Sequence, residues 1–180
     1  MINEIKITSL IEAEGYASGP DKKYNIWVSA VDREDKSKID KIKTQLKEKN
    51  IPHFHQFFYD FSDEDSCFFQ TNPALGPQKQ NIQNIISFLA PYVQTTKEYN
   101  LGVNCFAGIS RSSAIGIIAI SLSGKSPEES LQKLVEANPH VWPNLRVLRF
   151  ASEILNKDLV TPVKLWKASQ LETGMLTLQS

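Results

Sequence analysis

Val103-Asn104-Cys105-Phe106-Ala107-Gly108-Ile109-Ser110-Arg111-Ser112-Ser113 is the stretch that decides how this chain is read. Before it, Tyr99 to Asn104 (YNLGVN) is a short apolar run that reads as a central strand. After it, residues 114–124 (AIGIIAISLSG) are long enough to favour a buried helix over another strand, with Gly124 as its C-cap. Cys105 therefore lies between a strand end and a helix N-terminus, beside the small residues Ala107 and Gly108. In such a turn successive backbone N–H groups point inward and cradle a tetrahedral oxyanion. The same positive field favours the thiolate, the nucleophilic form of cysteine. Arg111 stands six residues after Cys105, across the loop, and its planar fork can hold two phosphate oxygens at once. The pattern predicts an anion hole with a nucleophile at its floor.

Working outward, Tyr24 to Val31 (YNIWVSAV) reads as a buried strand, and Ile39, Ile42 and Leu46 recur at helical spacing. Pro52 opens a second strand-like run, His53 to Tyr59, which the acidic stretch Asp60 to Asp65 ends. Thr71 to Pro77 reads as a loop. A helix follows from Gln78 with Ile82, Ile85, Ile86 and Leu89 inward, its end tilted by Pro91. Ser126-Pro127-Glu128-Glu129 combines a capping residue, proline at the first helical position and a glutamate three residues on, so it starts a helix. Leu131, Leu134 and Val135 give that helix its inner face. A last helix spans Pro143 to Asn156, with Leu148, Ala151 and Leu155 inward. Strands alternating with helices predict a single α/β domain with a central, mostly parallel sheet flanked by helices. Residues 1–157 are expected to form it, with 158–180 as a loosely docked C-terminal extension.

The 180 residues suffice for one domain with a substantial core. Lys+Arg and Asp+Glu number 20 each, and this neutral balance argues against nucleic acid as a partner. Two cysteines, Cys67 and Cys105, are too few for a disulfide framework, and a functional thiol suits a reducing compartment. The N-terminus, MINEIKITSLIEAEGY, lacks the basic-then-apolar order of a signal peptide, and no stretch approaches the roughly 20 apolar residues of a membrane span. The cytoplasm is the expected location.

The central loop resembles the phosphate-binding loop of the protein tyrosine phosphatase superfamily. Cys105, five residues, Arg111 and Ser112 match its Cys-x5-Arg-[Ser/Thr] pattern, and Gly108 to Ser112 looks most like the dual-specificity branch and its small bacterial relatives. The resemblance spans roughly Tyr24 to Asn156. It implies Cys105 as nucleophile and Phe106, Ala107, Gly108, Ile109, Ser110 and Arg111 as the phosphate-binding cradle. It also implies an aspartate as general acid on a loop after an earlier strand. Asp60 fits best, with Asp63 and Asp65 as rivals in the same stretch. Asp60 and Cys105 are 45 residues apart, longer than in compact dual-specificity enzymes, so an insertion is expected between Cys67 and Pro77. Ser112 would stabilise the leaving thiolate, or cap the helix. The implied chemistry needs no metal and no cofactor.

One position departs from the family. Its histidine before the nucleophile is Asn104 here, which can donate through its amide but carries no charge. The expected substrate is a phosphorylated protein or a small phosphomonoester, with phosphotyrosine favoured. Dual specificity, an inositol phosphate, and a catalytically weak phosphate-binding module remain open alternatives. A rhodanese-like sulfurtransferase fits less well, given the full loop pattern and the upstream aspartates. His53 and His55 share one strand face but have no third ligand at a convincing spacing, so a core or surface role is expected. Pro143-Asn144 reads as a structural cap near the loop. Cys67 reads as a plain buried thiol.

Overall fold

The computed structural model describes residues 2–61 and 74–177, with side chains to 173. Four strands form one sheet: β1 (Ile2–Thr8), β2 (Ile26–Val31), β3 (His53–Phe57) and β4 (Tyr99–Asn104). They lie in the order β1-β4-β2-β3, and every neighbouring pair is parallel. The last strand in sequence is thus interior, with its C-terminal end beside that of β2. Parallel neighbours need crossovers, and helices supply them. These are α1 (Leu10–Ser18), α2 (Lys36–Glu48) and α3 (Lys79–Val93), followed after β4 by α4 (Arg111–Leu122), α5 (Pro127–Ala137), α6 (Leu145–Leu155) and α7 (Val160–Thr177). No described helix is long and apolar enough to cross a membrane.

Side chains alternate across a strand, so each face of the sheet gets its own core. Ile26, Val28 and Ala30 of β2 join Leu101 and Val103 of β4 in the larger core, under α3 to α7. Trp27 and Val31 point the other way, into a smaller core with Leu10 of α1 and Ile39, Ile42 and Leu46 of α2. Both faces of β2 are buried, which accounts for its unbroken apolar run. Trp27 pairs with Gly102, and a Cβ on Gly102 would lie 2.2 Å from the indole, so glycine makes room for that ring.

Several expected elements stand where the sequence puts them. Ser126 and Glu129 form the capping box of α5, and Gly124 takes φ +94° just past α4. Pro91 lies in the last turn of α3, which ends at Val93. α4 is buried from Arg111 to Ser121, sandwiched between the sheet and the outer helices. Two elements are not anticipated by the sequence pattern. β1 extends the sheet edge, with Ile5 and Ile7 toward the larger core and Glu4 and Lys6 alternating with them. α7 follows α6, and Leu159 just before it and Val163 and Lys167 within it are buried at intervals of four.

Candidate active site

Cys105 immediately follows β4 and is 1% exposed. Its Sγ accepts a hydrogen bond from the Gly108 N–H at 3.2 Å and lies 3.2 Å from the Ser112 hydroxyl. Gly108 reaches back over the sulfur only because φ is +75°, a left-handed conformation that favours glycine. The space is closed too: a Cβ there would lie 2.6 Å from the Thr8 carbonyl carbon.

The loop carbonyls turn outward to fixed donors. Leu10 N–H donates to Phe106 O (3.1 Å), Trp142 N–H to Ile109 O (2.9 Å) and Asn144 N–H to Ser110 O (3.2 Å). The Ser113 hydroxyl also donates to the Ile109 carbonyl. A planar trans peptide points its N–H opposite its C=O. The amides of Ala107, Ser110 and Arg111 are therefore turned the other way, into the cradle that the sequence predicts. Three separate parts of the chain hold this geometry: the β1–α1 junction, the loop before α6, and the first turn of α4. Phe106 and Ile109 are exposed at the rim, 57% and 42% respectively.

Arg111 opens α4 and is only 2% exposed. Its Nη1 donates to Asp32 Oδ1 and to the Phe58 carbonyl, both at 2.7 Å. Its buried Nε has no hydrogen-bond partner among the described residues and lies 3.6 Å from Asp60 Oδ2. The guanidinium is thus anchored by one nitrogen while its Nε still lacks an acceptor. Asp32 was not among the expected site residues. The available signal was its place just after the C-terminal end of an interior strand, where ligands gather in open α/β sheets.

Asp60 lies just past β3, facing the loop. Its Oδ1 accepts from the Ser110 hydroxyl (2.7 Å) and from Asn144 Nδ2 (2.8 Å). Asn144 also caps α6, its Oδ1 accepting from Val147 N–H, and gives a second amide proton to Phe61 O. The cap expected at Asn144 therefore also grips Asp60. Asp63, Asp65 and Cys67 lie outside the described residues.

Asn104, paired with Ser29 across the strands, faces the smaller core. Trp27 Nε1 donates to its Oδ1 at 2.8 Å, and an indole can only donate, so the carbonyl end must face Trp27. The Ser29 hydroxyl donates to the same oxygen at 2.7 Å. Ser29 has then used its one proton, so the 2.9 Å contact with His53 Nε2 is a hydrogen bond donated by the imidazole. Asn104 Nδ2 has no acceptor among the described residues, so the donor role expected for this amide is absent there. Asn104 instead ties the start of the loop to the sheet through its acceptor. Burial pushes the His53 imidazole down to about 3, with His55 and Lys43 adding to the effect. Among the described residues no cluster of three His, Cys, Asp or Glu could hold a metal.

With this geometry in place, comparison with known proteins is informative for the fold. No protein-family model matches the chain, and no curated protein matches it in sequence. Solved structures do match. Tk-PTP in its active form shares 15% identity at a TM-score of 0.55, covering 84% of this chain and 90% of its own. Human DUSP28 shares 15% at 0.54, covering 84% and 87%. PTPMT1 in complex with PI(5)P shares 13% at 0.54, covering 83% and 88%. The chain has the fold of these structures, that of the protein tyrosine phosphatases.

Proposed function

We propose that this protein is a cysteine-dependent phosphatase that hydrolyses phosphomonoesters, phosphotyrosine foremost, through a phosphocysteine intermediate. The observation that carries the reading is the convergence on one loop. Cys105 Sγ lies between the Gly108 N–H and the Ser112 hydroxyl, and the buried Arg111 Nε lies 3.6 Å from Asp60. In the first step the Cys105 thiolate forms a bond to phosphorus as the bond to the ester oxygen breaks. Asp60 delivers its proton to the departing oxygen, and Ser110 and Asn144 orient its carboxyl group. In the second step Asp60 takes a proton from water, which attacks phosphorus and releases Cys105. Ser112 donates to the departing sulfur. Arg111 and the loop amides hold the equatorial oxygens in both transition states.

The exposed Phe106 and Ile109 support an aryl phosphate over an inositol phosphate. They give an aromatic ring apolar surface at the rim, and residues 106–110 include no lysine or arginine to meet further phosphates. The PTPMT1 complex with PI(5)P keeps inositol phosphates in the test. Turnover of p-nitrophenyl phosphate, a phosphotyrosine peptide and an inositol phosphate should rank the first two above the third. Cys105→Ser should abolish turnover while still binding phosphate mimics, because serine fits the loop but is a far weaker nucleophile. Asp60→Asn should lower turnover by about 10²–10⁴-fold on a poor leaving group and less on a good one. Turnover that survives Cys105→Ser would remove the phosphocysteine from the mechanism.

A further inference from the structure

Away from the phosphate loop, α5 and α7 enclose an open groove of about 600 Å³. Its floor is apolar: Leu131 and Val135 come from α5, and Pro162, Leu165 and Trp166 from α7. Leu165 is 67% exposed there, a large aliphatic side chain that packs against little of its own chain. The polar lining has one sign. Glu128 and Glu136 stand on the α5 side and Asp158 at the start of α7, and the lining contains no lysine or arginine. Lys133 of α5 and Lys164 of α7 lie outside this lining. Lys125 pairs with Glu129, and Lys167 lies 4.9 Å from the centre of the Trp142 ring.

We infer that the α5–α7 groove is a docking site for an amphipathic helix of a partner protein, its apolar stripe flanked by lysine or arginine. Two adjacent helices leave a trough of the kind that receives a third, whose side chains at i, i+3, i+4 and i+7 anchor in it. Charge complementarity sets the partner's flanks: three carboxylates at the rim attract cations and repel an acidic helix or an anionic lipid surface. The groove also connects with the phosphate loop. The Trp166 and Trp142 rings are 5.8 Å apart, and the Trp142 N–H holds the Ile109 carbonyl. The inference is independent of turnover, because it concerns binding at a surface outside the loop.

The test is a titration of the isotope-labelled protein with two synthetic helical peptides. Both carry leucine at i, i+3, i+4 and i+7; one has lysine at the remaining positions and the other glutamate. The lysine peptide should shift the amide signals of α5 and α7 and the Trp166 indole, and should bind more weakly as salt rises. The glutamate peptide should bind at least about tenfold more weakly. Leu165→Lys should weaken the lysine peptide by about tenfold or more without changing the melting temperature, because the side chain is already exposed. Glu136→Lys should weaken it in the same direction. Equal binding of the two peptides, shifts outside α5 and α7, or indifference to Leu165→Lys would each overturn the inference. Self-association of the free protein that Leu165→Lys abolishes would also overturn it, assigning the groove to a second copy.

Discussion

Asp32 and Asn144 act on the two charged groups that the proposed chemistry depends on, and neither touches sulfur. Asp32 takes Arg111 Nη1, which fixes the plane of the guanidinium. Asp32→Asn keeps the shape but removes the charge facing a buried cation, so Arg111 is held mainly by the Phe58 carbonyl. We expect kcat/KM to fall by about tenfold or more, with Asp32→Glu recovering part of the loss, as steady-state kinetics on an aryl phosphate can show. Asn144 has two separable duties, capping α6 and gripping Asp60. Asn144→Asp preserves the cap, since aspartate caps as well as asparagine, but sets a carboxylate against Asp60 Oδ1. The melting temperature should fall, because the buried carboxylate faces Asp60 and leaves the Phe61 carbonyl without its donor. Turnover of a poor leaving group should drop by about tenfold or more, and that of a good leaving group should drop less.

At the scale of elements, the phosphate loop is a strand-to-helix turn held in shape from outside. β4 delivers it, α4 receives it, and the β1–α1 junction braces it through Leu10 N–H and the close approach of Gly108 to Thr8. Gly108→Ala conflicts with that junction twice. The left-handed φ costs a residue with a Cβ about 1–2 kcal/mol, and the new methyl group meets backbone that cannot swing aside. We expect stability to fall by about 2 kcal/mol or more and vanadate binding to weaken by at least about tenfold. A variant that binds vanadate as the parent does would show that the loop tolerates another path past Thr8.

For the whole molecule, the edge of the sheet makes stability depend on pH. His53 on β3 is half-buried and neutral, its pKa pushed down to about 3 from the ordinary 6.5 by desolvation. Between those values the unfolded chain takes up a proton that the folded chain does not. Stability should therefore fall as pH drops below about 6.5, by up to about 1.4 kcal/mol per unit from this residue, and stay level above it. His55 shifts in the same direction, mainly through burial, and adds to the slope. His53→Gln removes one titrating group, so its urea midpoint should change less between pH 7 and pH 5 than the parent's. Equal slopes would show that His53 takes up its proton in the folded state as readily as in the unfolded one.

What the sequence by itself determined is what neighbours along the chain decide among themselves. The α4 run, the Ser126–Glu129 capping box and the Cys105-to-Ser112 loop were legible because their partners lie within a few residues. The place of Asp60 just past a strand was legible from where the run His53 to Tyr59 stops. Only the tertiary structure decided what Asn104 does, because its partners Trp27 and Ser29 reach it through the pairing of β2 with β4. Only the fold brought Asp32 to Arg111, 79 residues away, and Asn144 to Asp60, 84 residues away. β1 and α7 stayed hidden for a related reason. An edge strand buries only part of its side chains, and a helix docked by every fourth residue leaves Leu165 and Leu171 exposed. Short-range patterns carry the signal of a local hydrogen bond or a buried face. Which distant residues meet follows from strand order, and that is settled by the packing of the whole chain.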